Sequence, residues 1–182
     1  MSTMTVLKFV TVEDVQPIEN RLLALHEKRL IQVHDAAYLT WPREDKMPQI
    51  EQLHRLAGQD ALAATGWELL LKLIFASPNR QQSAQAYCRT TSSFGIKNNF
   101  IKQTRRIVTE GTSALFILTH RPAQDKIVTA LQGQSFEIIS TNLSQANHET
   151  LQKVFGVGQT SSGQCREPPA TDDPLAQAGG RS

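Results

Sequence analysis

The residues in this sequence that are best suited to chemistry are its histidines. They are His26, His34, His54, His120 and His148. His34 is followed directly by Asp35, and an imidazole beside a carboxylate can transfer a proton. A hydrogen bond at the edge of a sheet is the favoured alternative for this pair. No histidine lies at a metal-ligand spacing from another histidine or from a cysteine, so the sequence predicts no metal site.

Four basic residues mark the outer face of a predicted helix over residues 97–109. They are Lys97, Lys102, Arg105 and Arg106. Such a face can bind an anionic lipid or a nucleic acid. A solvated helix face is the favoured alternative, because the aromatic residues on which RNA bases stack are absent and the net charge is only +2. A nucleic acid is therefore not expected as a partner, whereas an anionic membrane surface stays open.

Nucleotide-binding and nucleophile motifs give no support to an enzyme. The segment GVGQTSSG, residues 156–163, is similar to a phosphate-binding loop, but it lacks the lysine and follows a predicted helix instead of a strand. Cys88 has no base paired with it, and no serine lies in a nucleophile elbow. The sequence therefore predicts no catalytic residue, no cofactor and a protein that is not an enzyme.

The most hydrophobic window of the chain is GWELLLKLIFA, residues 66–76, which predicts a helix. Its candidate interaction residues are Trp67, Leu70, Leu71, Ile74 and Phe75. A tryptophan at the start of the window is compatible with a helix that lies on a membrane surface. Because the window is short and apolar on nearly every side, burial against the sheet or against a second subunit is the favoured alternative.

Composition indicates a globular chain, with 40% hydrophobic and 20% charged residues among 182. The two cysteines, Cys88 and Cys165, do not form a disulfide framework, so reduced thiols and a cytoplasmic location are the simplest expectation. The first residues carry no secretory signal, and no apolar stretch approaches the roughly 18–20 residues of a membrane-spanning helix. The inner face of a membrane is the alternative location.

The segments that must position these residues alternate between strand and helix patterns. Strands are predicted at residues 5–10, 32–41, 112–119 and 135–141, and helices at 14–30, 49–64, 66–76, 97–109, 122–133 and 144–156. Two βαβ halves of this kind predict an α+β fold, a ferredoxin-like sandwich with an antiparallel sheet and helices on one face. The first and third strands are expected to be central. Residues 43–110 form a helical insert within a domain of residues 1–156, followed by a disordered tail of residues 157–182.

Five segments together carry a resemblance to a known family. They are TVLKF (residues 5–9), LIQVHDAAYLTWP (30–42), FGIKNNFIKQ (94–103), EGTSALFILT (110–119) and FEIISTNLS (136–144). Over most of residues 5–156 the chain resembles an uncharacterised bacterial family, the domain-of-unknown-function 1269 group, often described as predicted membrane proteins. The resemblance implies a ferredoxin-like domain with an apolar helical hairpin in the insert, in or against a membrane. This chain differs there, because its insert is less apolar and carries Arg80 and Arg89.

These observations favour a non-enzymatic interaction or scaffold protein, which self-associates or docks a partner protein through the apolar insert. Two alternatives stay open. One is a peripheral membrane protein anchored by the insert and assisted by the basic helix, and the other is a regulatory module that binds a small ligand. The second alternative follows from the fold alone, because ferredoxin-like sheets often bind effectors.

Overall fold

The computed structural model describes residues 2–10, 15–45, 47–58, 61–75 and 95–155 of the chain. Its strands are β1 (Ser2–Phe9), β2 (Val33–Trp41), β3 (Gln49–Gln52), β4 (Thr112–Thr119) and β5 (Phe136–Leu143). They form one sheet in the order β3-β2-β4-β1-β5, and every neighbouring pair is antiparallel. The fold is therefore α+β with a five-stranded antiparallel sheet, in which β1 and β4 are interior, as predicted.

Five helices of the described segments accompany the sheet. They are α1 (Val15–Glu27), α2 (Ala64–Phe75), α3 (Asn98–Ile107), α4 (Gln124–Ala130) and α5 (Gln145–Phe155), with a 3-10 turn at His54–Leu56. In the part of the chain that the structure describes, no helix has the length and apolar character needed to cross a bilayer.

Helices cover both faces of the sheet. On one face α1 and α4 pack on alternate residues of the interior strands, including Leu115 and Ile117 of β4. On the other face α2, α3 and α5 pack on the intervening residues, including Phe116 and Leu118. Because both faces are buried, β4 carries an uninterrupted apolar run instead of an alternating one. The expectation of helices on one face held only for α1 and α4, since α2 and α3 of the insert and the C-terminal α5 form a second layer.

The predicted helix over residues 49–64 is wrong. The segment begins with β3, whose residues pair with β2 from Ala37 to Thr40, and continues into the 3-10 turn. The spacing of Ile50, Leu53 and Leu56 suits a helix locally, but the unpaired backbone groups along the edge of β2 are satisfied by a strand. Residues 76–94 and the predicted tail, residues 157–182, lie outside the described residues.

Candidate functional site

A cleft of about 360 Å³ lies at one end of the sheet. One wall is residues 29–32, the loop that joins α1 to β2, and the other is residues 120–123 together with Lys126, which follow β4. These two loops meet because Val33 at the start of β2 pairs with Thr119 at the end of β4. Three exposed cations line the cleft, Arg29, Arg121 and Lys126, and no carboxylate does.

Arg29 lies in a backbone conformation that is unusual for its type. Helix α1 ends with the amides of Leu30 and Ile31 donating to the carbonyl of Leu25, at 3.0 and 3.4 Å. Arg29 adopts a φ of 55°, the left-handed conformation that normally selects glycine after a helix, and is the one non-glycine residue with positive φ in the described segments. A side chain there costs about 1 kcal/mol. The sequence thus carries a guanidinium at the cleft where a glycine would fit the backbone better.

The two walls of the cleft are fixed to each other by hydrogen bonds. The amide of His120 donates to the carbonyl of Gln32 at 3.0 Å, and Lys126 Nζ donates to the carbonyl of Leu30 at 2.6 Å. Within the second wall, Thr119 Oγ1 donates to the carbonyl of Arg121 at 2.7 Å. The cleft is therefore held open by the fold itself, and a ligand would enter a preformed site.

The described part of the chain places no ion-pair partner on the two arginines of the cleft, Arg29 and Arg121. The nearest carboxylates along the chain are Glu27, which lines an adjoining hollow, and Asp125, which lies on the other side of Lys126. Three like charges that share a concave surface favour an anion there.

Three histidines form a row that starts at the cleft. The ring of His120, which lines the cleft, contacts His34 at a centroid distance of 5.6 Å, and His34 contacts His148 of α5 at 4.6 Å. Within the described segments, no three histidine, cysteine or acidic side chains are placed to hold a metal ion. The row connects the cleft with the helix layer on the opposite face of the sheet.

Asp35 is fully buried and works as a hydrogen-bond acceptor. It accepts from the amides of Ala36 and Leu62, both at 2.8 Å, from Trp67 Nε1 at 2.7 Å and from Gln52 Nε2 at 3.0 and 3.1 Å. Burial raises the pKa of this carboxyl, and the hydrogen bonds, led by that from Gln52, act in the opposite direction.

The donors to Asp35 join β2, β3 and α2, so this carboxylate holds the insert on the sheet. A hydrogen-bonding role at the edge of a sheet was the favoured alternative for the His34-Asp35 pair. Asp35 does accept hydrogen bonds, but β2 is an interior strand and not an edge. Trp67 in an apolar window indicates that a buried acceptor such as Asp35 exists, because a buried indole N–H needs an acceptor.

The predicted interaction residues of the insert lie inside the protein's own core. Trp67, Leu70, Leu71 and Ile74 are at most 1% exposed and pack on the face of the sheet that carries Phe116. Phe75 is half-buried, with its ring against those of Trp41 and Phe116. Of the two favoured alternatives, burial against the sheet or against a second subunit, the structure shows the first, and contact of these residues with a second chain stays a prediction.

The predicted basic face is only partly a solvent face. Lys97, which precedes α3, is exposed, as are Lys102 and Arg106 on the helix. Arg105 is half-buried, and its Nε donates to the carbonyl of Ile74. Arg105 therefore joins α3 to α2. None of the four residues lines the cleft. The sequence patterns did not predict the cleft or its three cations.

Comparison with known proteins gives one match. A family model described as "Protein of unknown function (DUF1269)" matches residues 61–156, just over half of the chain. The matched region contains α2 and everything from α3 to α5, and so includes Arg121 and Lys126 but not Arg29. No curated protein and no solved structure is significantly similar to the chain.

Proposed function

Because the chain belongs to the DUF1269 family, whose description assigns no activity, we propose a function from its geometry: the protein is a module that binds a small anionic molecule. The observation that carries this proposal is the convergence of Arg29, Arg121 and Lys126 on one cleft without a carboxylate. The left-handed conformation of Arg29 adds weight, since backbone strain of this kind concentrates at functional sites.

The cleft suits a phosphate or a carboxylate. Guanidinium groups bind both anions through two parallel hydrogen bonds, and the lysine adds a point charge. A volume of about 360 Å³ lies at the lower end of the range for small-molecule sites. Binding without reaction is proposed, because the lining residues include no hydroxyl, thiol or carboxylate that could act as a nucleophile or base beside His120.

We also propose that the fold is ferredoxin-like. The strands β5-β1-β4-β2 follow one another in the sheet, with α1 joining β1 to β2 and α4 joining β4 to β5. Both connecting helices lie on the same face, which supports two interlocked βαβ halves. In this interpretation β3, α2 and α3 belong to the insert, and α5 is an addition.

A calorimetric titration with inorganic phosphate tests the binding function. Arg121→Ala should weaken binding roughly 10- to 100-fold, the value of a hydrogen bond to a charged group. Lys102→Ala removes the same charge from α3, outside the cleft, and should change the affinity less than twofold. Absence of phosphate binding, or an equal loss in both variants, would contradict the proposal.

Association with a partner protein or a second copy is the other candidate function. Its support is an exposed apolar pair on neighbouring helices, Leu69 of α2 at 53% and Val154 of α5 at 51% exposed. Light scattering of the full chain tests it, with Leu69→Asp as the variant. Two results together would contradict this candidate: wild type is a monomer at all concentrations, and wild type and Leu69→Asp retain the same proteins from cell extracts.

A further inference from the structure

An apolar groove of about 270 Å³ adjoins the cleft. Its walls are Leu25, Leu30 and Ala130, with Thr129 at the side. The groove and the cleft share Leu30 and Lys126, so the two hollows are adjacent. We infer that the ligand is amphipathic, with an anionic head group in the cleft and a short apolar substituent in the groove; this inference rests on the proposed function.

The backbone of the apolar wall is hydrogen-bonded at Leu30 although the residue is exposed. Leu30 is 46% exposed, and its amide donates to the carbonyl of Leu25 while its carbonyl accepts from Lys126 Nζ. These two bonds hold the backbone from which the leucine side chain projects. A ligand that covers it would gain the hydrophobic contribution without having to order the loop first.

Charge sets the direction in which such a ligand lies. Lys126 stands at the boundary between the two hollows, and Arg29 and Arg121 lie on its cleft side. Asp125 lines the groove, so an anionic group would be repelled there and attracted into the cleft. The apolar part of the ligand is then left to Leu25, Leu30 and Ala130. Phosphate monoesters and carboxylates that carry a short chain share this chemistry.

The test compares inorganic phosphate, butyl phosphate and pentanoate in calorimetric titrations of the full chain. Each methylene that leaves water strengthens binding about fourfold. Butyl phosphate should therefore bind at least roughly tenfold tighter than inorganic phosphate even with partial burial of its chain. The comparison of butyl phosphate with pentanoate identifies the preferred head group.

Two variants separate the groove from the cleft. Thr129→Phe places a ring in the groove, and Leu25→Ala shortens a groove side chain that does not line the cleft but keeps the carbonyl that accepts from the amide of Leu30. Each variant should lose the advantage of butyl phosphate and keep its affinity for inorganic phosphate within about twofold, with folding checked by circular dichroism. Equal affinities of wild type for butyl phosphate and inorganic phosphate would overturn the amphipathic ligand alone. Binding of neither anion would overturn the proposed function as well.

Discussion

Replacing Asp35 by alanine should lower the free energy of unfolding by about 3–5 kcal/mol. The substitution removes the acceptor from three buried donors, the amides of Ala36 and Leu62 and the indole of Trp67. Gln52 keeps a partner, since its Nε2 also donates to the carbonyl of Leu62 at 2.8 Å. Each buried donor without a partner costs about 1–3 kcal/mol, and relief from burying a carboxylate offsets part of the sum.

Urea unfolding followed by circular dichroism measures this loss. Glu51→Ala, which removes an exposed carboxylate from β3, is the matched control and should change stability by less than about 0.5 kcal/mol. Asp35→Asn keeps the shape of the side chain but replaces one acceptor oxygen by an NH₂ donor. This donor must face another donor, either the amide of Ala36 or the amide of Leu62 together with the indole of Trp67. An asparagine variant with wild-type stability, or an alanine variant that loses less than about 1 kcal/mol, would refute the reasoning.

Three further predictions concern the same elements. Leu70→Asp should unfold the domain, because this side chain is 1% exposed, whereas Leu69→Asp at 53% exposure should leave the melting temperature within a few degrees; thermal melts of the two variants decide this. Burial raises the pKa of Asp35 above the ordinary value of an aspartate, so its contribution to stability is full below that value and declines as the pH rises through the folded-state pKa. The stability difference between wild type and Asp35→Ala should therefore shrink from about pH 4 upward, and a difference that grows would contradict the sign. Arg29→Gly should stabilise the fold by about 1 kcal/mol in urea and weaken phosphate binding in the titration, and stabilisation without weaker binding would remove Arg29 from the site.

The sequence predicts most of the interior of the sheet. The first and third predicted strands are central in the sheet, where they are β1 and β4. The helix predicted over residues 49–64 is a strand at residues 49–52. Its helical spacing is a local signal, whereas its pairing with β2 depends on another strand of the sheet.

The cleft could not be predicted for a similar reason. Arg29 and Arg121 are ordinary loop cations in the sequence, and only the pairing of Val33 with Thr119 brings their loops together. That pairing is a long-range property of the sheet. The conformation of Arg29 is equally hidden, because arginine is a common residue near the end of a helix and gives no sign of a positive φ.

The position of β1 in the sheet has a consequence for synthesis of the chain. Its two neighbours are β4 and β5, so that Thr3 lies beside Thr119, 116 residues away, and Asn142, 139 residues away. β1 is therefore synthesised before either of its neighbours and has no sheet to join until they have been translated. Local α-helix formation can precede this step, but closure of the sheet depends on contacts that are distant in the sequence and is expected to be late and slow. During that interval the apolar residues of β1 are not yet buried by the sheet.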